Sequence, residues 1–113
     1  MTVLIIDENT DNAMYYARQL VGPYNVCICS NRASATQMLL DLRPDALIID
    51  LIILFKLKPL PFHPKVIIGV TYFFSNTVIQ EASAEGVHEL VRLPCASDCM
   101  SRKINARLYQ SIL

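Results

Sequence analysis

The stretch Ala46-Leu47-Ile48-Ile49-Asp50 is a continuous apolar run that ends on an aspartate, and it narrows the choice of fold more than any other segment. A strand with apolar residues at consecutive positions is buried on both faces, which is typical of a parallel sheet covered by helices. Val3-Leu4-Ile5-Ile6 has the same character and precedes Asp7-Glu8, while Lys65–Val70 precedes Thr71. These runs indicate an α/β protein.

Segments with helical spacing separate the apolar runs. Apolar residues recur at intervals of three and four from Ala13 to Val21 and from Ala35 to Leu42. Gly22-Pro23 and Arg43-Pro44 are the expected ends of these two helices. The residues suited to cap their starts are Asn9, Thr10, Ser30 and Asn31.

The rest of the chain continues the alternation. Strands are expected at 24–29 and 89–93, and a helix that starts near Ser75 or Asn76 ends at Gly86. A last helix follows Ser97-Asp98 and carries Ile112 on its apolar face. The order predicts one domain over residues 1–113, a doubly wound α/β fold with helices on both faces of a parallel sheet.

The connection over residues 51–64 departs from this rhythm. It contains Pro59, Pro61 and Pro64, which leave little room for a regular helix. A parallel crossover needs about a dozen residues, which this segment just supplies. We expect an extended or irregular connection with at most a short turn near Ile52–Leu57, so that the third helix is shortened or absent.

Composition and charge exclude several classes of function. An apolar share of 53% supports a packed core, and 10 basic residues balance 10 acidic ones. The resulting zero net charge counts against direct binding of nucleic acid, which needs a surplus of Lys and Arg. The most apolar run, Ala46 to Phe55, is about half of the ~20 residues that a spanning helix needs and contains Asp50. No membrane contact is expected.

The cysteines and the N-terminus indicate a cytoplasmic protein. No basic region precedes an apolar stretch at the N-terminus, so a secretory signal is not expected. The cysteine spacings do not match the usual zinc knuckles and favour reduced thiols in a core. The four cysteines are Cys27 and Cys29, expected on one strand face, and Cys95 and Cys99, expected on one helix face.

Polar residues follow three of the apolar strands, as Asp7-Glu8, Asp50 and Thr71. The carboxyl ends of parallel strands meet at one edge of the sheet, where ligands bind. Clustered carboxylates raise one another's pKa unless a cation neutralises them, and Mg²⁺ prefers such hard oxygen ligands. The pattern predicts an acidic pocket that holds Mg²⁺ and accepts phosphate on one aspartate, with the Thr71 hydroxyl on a phosphoryl oxygen. Strand termini that simply face water are the alternative.

The stretches Val3–Glu8, Leu42–Asp50 and Glu85-Gly86-Val87 are together similar to one family, the receiver domains of two-component response regulators. Leu93-Pro94 falls where that family has Lys-Pro. The resemblance covers nearly the whole chain and implies a five-stranded flavodoxin-like sheet of order 2-1-3-4-5. The roles that it implies are phosphoacceptor for Asp50, metal ligand for Asp7, Glu8 and Asp50, and switch hydroxyl for Thr71.

Several departures from the family pattern bear on switching. Leu93 replaces the lysine that pairs with the phosphoryl group, and Leu90 stands where the family has Tyr or Phe. Strand alternation points the adjacent Arg92 to the opposite face. The family's loop after the phosphoacceptor is missing. Lys56 or Lys58 would serve as a substitute cation only by folding back toward the pocket, and a solvated lysine is the simpler interpretation.

We therefore interpret the chain as an atypical receiver, or pseudo-receiver, that keeps the fold but not phosphorylation-driven switching; Mg²⁺ is not required. The first alternative is a functional phosphoacceptor receiver that uses Asp50 and Mg²⁺. The second is an unrelated small enzyme, which has little support because Asp7–Thr10 replaces a glycine-rich phosphate loop after the first strand. His63 and His88 have no nucleophile in register, and no enzymatic activity is expected.

The stretch from Ser75 to Leu113 matches the fourth helix, fifth strand and fifth helix, through which winged-helix transcription regulators dimerise. Mixed charge on one face suits a two-fold contact, so we expect a constitutive homodimer, with a solvated face as the alternative. DNA would be contacted only by a C-terminal effector domain outside this chain, and the action of a histidine kinase is left open. The expected interface residues are Glu81, Glu85, Glu89, Arg92, Asp98, Arg102, Lys103 and Arg107.

Overall fold

Strands and helices alternate along the computed structural model, which describes residues 1–20, 22 and 24–110 and side chains up to residue 108. Four residues named above, Val21, Pro23, Ile112 and Leu113, lie outside the described residues. The elements are β1 (Thr2–Ile6), α1 (Thr10–Gln19), β2 (Asn25–Cys29), α2 (Arg32–Leu42), β3 (Ala46–Asp50), α3 (Leu51–Leu57), β4 (Val66–Thr71), α4 (Asn76–Ala84), β5 (Glu89–Arg92) and α5 (Cys99–Gln110).

The five strands form one parallel sheet in the order β2-β1-β3-β4-β5, which confirms the predicted fold class and strand order. β3 lies in the centre, between β1 and β4. Ile49 is in register with Ile6 on one side, and Asp50 is in register with Val70 on the other. The carboxyl ends of β1, β3 and β4 therefore meet at one edge of the sheet.

Helices cover both faces of the sheet, as the alternation predicts. α1 and α5 pack on one face, where Ile5 and Ile48 are fully buried. α2, α3 and α4 pack on the other face, where Ile6 and Ile49 are fully buried. Because side chains alternate along a strand, Asp50 lies on the same side of β3 as Ile48, toward α1 and α5. Among the described helices, none combines the length and the hydropathy that crossing a membrane requires.

Short polar side chains start three of the helices. The side-chain oxygens of Asn9, Asn31 and Ser75 accept hydrogen bonds from backbone N–H groups in the first turns of α1, α2 and α4. Each lies at a position where the sequence predicts a cap. α2 ends at Arg43, which adopts a left-handed conformation (φ 41°) directly before Pro44.

The start of α5 corrects one prediction. Cys95 lies in the turn before α5 and not on the helix face with Cys99, which is the first residue of the helix. Two hydrogen bonds tie this region to α1. The Tyr15 hydroxyl donates to the Cys95 carbonyl oxygen (2.7 Å), and the Gln19 Oε1 atom accepts from the Met100 amide (2.8 Å).

The connection after β3 contains a regular helix, contrary to the expected extended or irregular segment. α3 has 7 residues and begins directly after Asp50, so the third helix is shortened and not absent. Its buried residues are Leu51, Ile53 and Leu54. The three prolines all follow the helix, and they restrict only the return to β4. The proline-based expectation was wrong because it was applied to the whole segment.

Gly69 on β4 makes room for this abrupt start of α3. A Cβ atom at Gly69 would lie 2.4 Å from Leu51 Cδ2 and 3.2 Å from Leu90 Cδ2. Leu51 is the first residue of α3, and it is 2% exposed. Without a loop between β3 and α3, this side chain enters the core directly over β4, where only a glycine leaves enough space.

We expect Gly69→Ala to lower the free energy of unfolding by about 1–3 kcal/mol, because the added methyl group overpacks a filled core. In a Leu51→Ala background the same change should cost less, since the clash at 2.4 Å is gone and only the tighter contact with Leu90 at 3.2 Å remains. Denaturant unfolding of the four proteins in this double-mutant cycle measures the coupling. Equal costs of Gly69→Ala in both backgrounds would contradict the Leu51–Gly69 contact.

Candidate functional site

The predicted acidic residues lie together at the carboxyl edge of the sheet. Asp7 directly follows β1 and is buried, Asp50 ends β3 and is half-buried, and Glu8 is exposed. The pairing of Ile6 with Ile49 places Asp7 and Asp50 at neighbouring strand ends. The Asp7 Oδ1 atom accepts a hydrogen bond from the Asn9 amide (2.8 Å), which fixes this carboxyl group at the start of α1.

These carboxyl groups influence one another electrostatically. Burial raises the pKa of Asp7, and the charges of Asp50 and Glu8 raise it further against the opposing Asn9 hydrogen bond. Burial also raises the pKa of Asp50, as does Glu8, while the Ile53 amide and the Lys56 charge act in the opposite direction. Both aspartates are therefore held in an environment that disfavours their charged forms.

The pair Asp7 and Asp50 fits Mg²⁺ in its chemistry. Mg²⁺ keeps several waters and is bound through one or two carboxylates, so two hard oxygen ligands suffice. Over residues 1–20, 22 and 24–110, no group of three or more His, Cys, Asp or Glu side chains is placed to hold a metal ion. The two aspartates would thus hold the cation, which would supply the positive charge that lowers their mutual repulsion.

Tyr16 adds a polar atom beneath this pair that the sequence analysis missed. Its side chain is 1% exposed, and its hydroxyl has no hydrogen-bond partner among the described residues. Burial raises the pKa of Tyr16, and the nearby Asp7 charge raises it further. A buried hydroxyl without a partner is costly, so a water molecule or an oxygen ligand held by Asp7 would stabilise it. This observation also fits a hydrated cation at the site.

The predicted switch residue Thr71 is engaged within its own loop. Its Oγ1 atom donates to the Phe73 carbonyl oxygen and accepts from the Phe73 amide, each at 3.2 Å. A phosphoryl oxygen bound to this hydroxyl would have to compete with both contacts. The structure thus places Thr71 at the expected strand end but gives its hydroxyl local partners.

A side-chain bridge crosses the edge over the end of β3. The Asn12 Nδ2 atom, on α1, donates to the Tyr72 hydroxyl, in the loop after β4 (3.1 Å). Because β3 lies between β1 and β4, this Asn12–Tyr72 bridge spans the strand end that carries Asp50. The sequence analysis missed both residues. The aromatic run that begins at Tyr72 was the available signal, since a loop rarely needs several large apolar side chains.

The end of β5 presents an apolar side chain to the core. Leu93 is 8% exposed, packs with the cluster that contains Ile48, and its amide donates to the Thr71 carbonyl oxygen (2.8 Å). Arg92 is exposed, as the alternation predicted. Leu90 is half-buried against the opposite cluster.

The two lysines of the β3–β4 connection differ in position. Lys56 is the one whose charge favours the ionised form of Asp50. The Lys58 Nζ atom instead lies 5.7 Å from the centre of the Phe55 ring. Of the two lysines considered as substitute cations, Lys56 is therefore the one whose charge lowers the pKa of Asp50.

Charges that were expected to pair across a dimer pair within the chain. The Glu89 carboxylate lies 3.0 Å from Arg107 Nη2 and 3.5 Å from Lys103 Nζ. Burial raises the pKa of Glu89, but these two cations outweigh it and lower the pKa overall. Asp98 and Arg102 form an exposed i,i+4 pair at 3.1 Å. Five of the eight charges expected at the dimer interface thus have partners within the subunit: Glu89, Lys103 and Arg107 form one group, and Asp98 and Arg102 form a local pair.

A groove of about 230 Å³ lies between α4 and β5, close to the predicted interface. His88 at its base has a structural role, since its Nδ1 atom accepts from the Ile67 amide (2.9 Å). His63 lies beside Gly86 at the end of α4. Neither histidine therefore belongs to the acidic edge. The residues that line the groove are Ile79, Ser83, Val87, His88, Glu89 and Leu90.

We expect Asp50→Asn to stabilise the protein at neutral pH. Because the pKa of Asp50 is raised in the folded chain, the folded chain holds this proton at pH values above about 4, where the unfolded chain has lost it. The contribution of Asp50 to the free energy of unfolding therefore falls as the pH rises from about 4 through the pKa of the folded chain. Removing the charge should raise the melting temperature by a few degrees, because about 1 kcal/mol corresponds to ~4–8 °C in a domain of this size. The gain should vanish at low pH, where the native carboxyl is protonated.

The control is Asp41→Asn on α2, where the carboxylate is exposed and the new amide oxygen can still accept from Gln37 Nε2, so the melting temperature should not change. Added Mg²⁺ should stabilise the wild type more than Asp50→Asn. Calorimetry over a pH series measures both effects. A destabilised Asp50→Asn variant at neutral pH would show that the ionised carboxylate is favoured in the fold.

Comparison with known proteins finds similar solved structures but no matching family model or curated protein. A two-component response regulator from Clostridium difficile superposes with a TM-score of 0.83 at 17% identity, over 98% of each chain. A response regulator from Desulfuromonas acetoxidans gives 0.80 at 13% identity, over 96% of this chain and 97% of that one. NtrX from Brucella abortus gives 0.78 at 18% identity, over 97% of this chain and 26% of the longer NtrX chain.

These likenesses agree with the sheet order described above. At such low identity they bear on the fold alone, and the roles of individual residues do not transfer with it. The chain has the fold of the response-regulator receiver domains.

Proposed function

We propose that this chain is a receiver-type regulatory domain whose output does not depend on phosphorylation of Asp50. The observation that carries the proposal is Leu93, a buried leucine at the end of β5. A phosphoryl group brings about two negative charges, and it would meet the carboxylates of Asp7 and Glu8 with no ammonium group from β5 to offset them. The electrostatic balance therefore disfavours the phosphorylated state.

Two further contacts support the proposal. The Asn12–Tyr72 bridge joins α1 to the loop after β4, and these elements follow the two strands that flank the strand end carrying Asp50. The hydroxyl of Thr71, which would bind a phosphoryl oxygen, already has two partners in its loop. Both contacts would have to break before a phosphoryl group could be bound and sensed.

The alternative is a functional phosphoacceptor that uses Asp50 and Mg²⁺. It is favoured by the Asp7 and Asp50 pair, which fits a hydrated cation, and by Lys56, whose charge acts on Asp50. In that case Lys56 would take over part of the role of the missing β5 lysine. The two proposals share one site and differ in whether a covalent phosphoryl group forms there.

For the homodimer, we propose that the contact between α4, β5 and α5 rests on apolar packing more than on charge. Ile79 is 41% exposed and lines the α4–β5 groove together with Val87 and Leu90. Glu81 and Arg92 are exposed and remain available for contacts across a two-fold axis. Five of the other predicted charges, Glu89, Asp98, Arg102, Lys103 and Arg107, are already paired within the subunit.

The wider context of the domain also remains a proposal. The balanced charge supports DNA contact only through a separate effector domain, and the match to part of the longer NtrX chain agrees with such an arrangement. The free cysteines of the described residues support a reducing, cytoplasmic compartment. Response to a histidine kinase would follow only under the phosphoacceptor alternative.

We expect no phosphoryl adduct when the protein is incubated with Mg²⁺ and acetyl phosphate and weighed by intact mass spectrometry. The matched gain-of-function variant is Leu93→Lys combined with Tyr72→Ala, which restores an ammonium group and removes the bridge. This variant should acquire the mass of one phosphoryl group. Stoichiometric phosphate on the wild type that is absent from Asp50→Asn would establish the phosphoacceptor alternative.

We expect Ile79→Glu to convert a dimer into a monomer, because a charge would be buried in the apolar groove contact. Sedimentation velocity at tens of micromolar measures the mass. Leu40→Glu is the matched control, since Leu40 on α2 is equally exposed (40%) but lies outside the predicted interface. A wild-type monomer under these conditions, or a dimer that tolerates Ile79→Glu, would contradict this interface.

A further inference from the structure

Three consecutive aromatic residues follow β4 and are open to solvent. Phe73 is 79% exposed, Tyr72 54% and Phe74 43%. Ile52, on the first turn of α3, is 64% exposed and follows the adjacent strand β3. Neighbouring strands lie about 4.8 Å apart, so these side chains belong to one edge of the sheet. We call Ile52, Tyr72, Phe73 and Phe74 the aromatic edge.

Two other aromatic side chains near the surface each lie beneath a cationic side chain, unlike the rings of the aromatic edge. Lys58 lies over the Phe55 ring and Arg43 over the Phe62 ring, at 5.7 and 5.4 Å from the ring centres. Large contiguous apolar patches on a soluble domain usually mark an interaction site, and aromatic residues carry much of the energy of such contacts.

Acidic groups border the aromatic edge. Glu8 is exposed after β1, and Asp11 is exposed in the first turn of α1. The hydrogen bond from Asn12, the neighbour of Asp11, to the Tyr72 hydroxyl joins that turn to the aromatic edge. Asp50 lies between them at the end of β3. We call Glu8, Asp11 and Asp50 the acidic rim.

We propose that the aromatic edge and its acidic rim bind a basic, apolar segment of a partner protein. The occupant follows from charge complementarity. Aliphatic side chains of the segment would cover the rings and Ile52, while its Lys or Arg side chains would pair with the rim and stack on Phe73. The proposal does not rest on the proposed function, because a phosphoryl group on Asp50 would add negative charge to the rim and would not remove it.

Other occupants fit the same surface less well. A second copy bound symmetrically through this edge would place its acidic rim against the rim of the first, which like-charge repulsion disfavours. An anionic membrane would meet the same repulsion at Glu8 and Asp11. A cationic segment is the partner for which both the apolar and the charged parts of the surface are favourable.

The test uses a fluorescein-labelled amphipathic peptide with leucines on one face and arginines on the other, and a counterpart with glutamate in place of each arginine. Fluorescence anisotropy measures the affinity of each for the wild type. Phe73→Ser should weaken binding of the arginine peptide by about tenfold, and Glu8→Gln by a few-fold. Leu40→Ser, an equally polar change at an exposed leucine of α2, should leave the affinity unchanged. Circular dichroism confirms that each variant is folded.

The proposal is supported if Phe73→Ser and Glu8→Gln each weaken binding of the arginine peptide and the glutamate peptide does not bind the wild type. It is overturned if the arginine peptide does not bind the wild type at roughly 100 µM, if both peptides bind alike, or if Phe73→Ser and Leu40→Ser have the same effect. Flotation with phosphatidylserine vesicles covers the membrane case. The proposal would also be overturned if the wild type binds vesicles but neither peptide, and if Phe73→Ser abolishes the vesicle binding.

Discussion

The contact between Leu51 and Gly69 is the constraint on which much of the carboxyl edge depends. A helix that starts at the residue after a strand must turn its first side chain straight into the core. The Leu51 side chain packs over β4 at Gly69, where there is no Cβ atom to clash with it. This packing fixes the direction of α3, and with it the exposed position of Ile52 and the approach of the Lys56 charge to Asp50.

The edge that results differs electrostatically from an efficient phosphate site. Burial raises the pKa of Asp7 and of Asp50, the Glu8 charge raises both further, and the residue that follows β5 is Leu93, which offers no ammonium group. A cation or a protonated carboxyl group relieves this repulsion, whereas an added phosphoryl group increases it. The same concentration of negative charge is an advantage for recognising a basic partner. The proposed binding of a basic segment would use this negative charge directly.

The fold could be predicted from the sequence because its signals are local and strong. Apolar runs such as Ile48-Ile49 identify strands buried on both faces, and Asn9, Asn31 and Ser75 act as the caps that their positions indicate. For α3 the sequence predicted no more than a short turn near Ile52–Leu57, since the prolines after it suggested an irregular segment, and the structure has a regular helix of 7 residues there. The acidic residues were found for the same reason as the strands, because each directly follows an apolar run.

The remaining features of the site depend on tertiary contacts between distant segments. Nothing near Asn12 in the sequence indicates a hydrogen bond to Tyr72, and the missing partner of the Tyr16 hydroxyl is visible only once its surroundings are known. The pairing of Glu89 with Lys103 and Arg107 is a contact of the same kind. A list of charges on a face cannot show which of them are already neutralised.

That internal pairing has a kinetic consequence for any self-association. Complementary charges on separate molecules steer their encounter and make the association rate fall steeply with salt. Here the charges expected on this face, four acidic and four basic, sum to zero, and five of them already pair within the subunit. Encounter through α4 and β5 would then proceed without long-range guidance, at a rate close to that of neutral surfaces and nearly constant across ionic strengths.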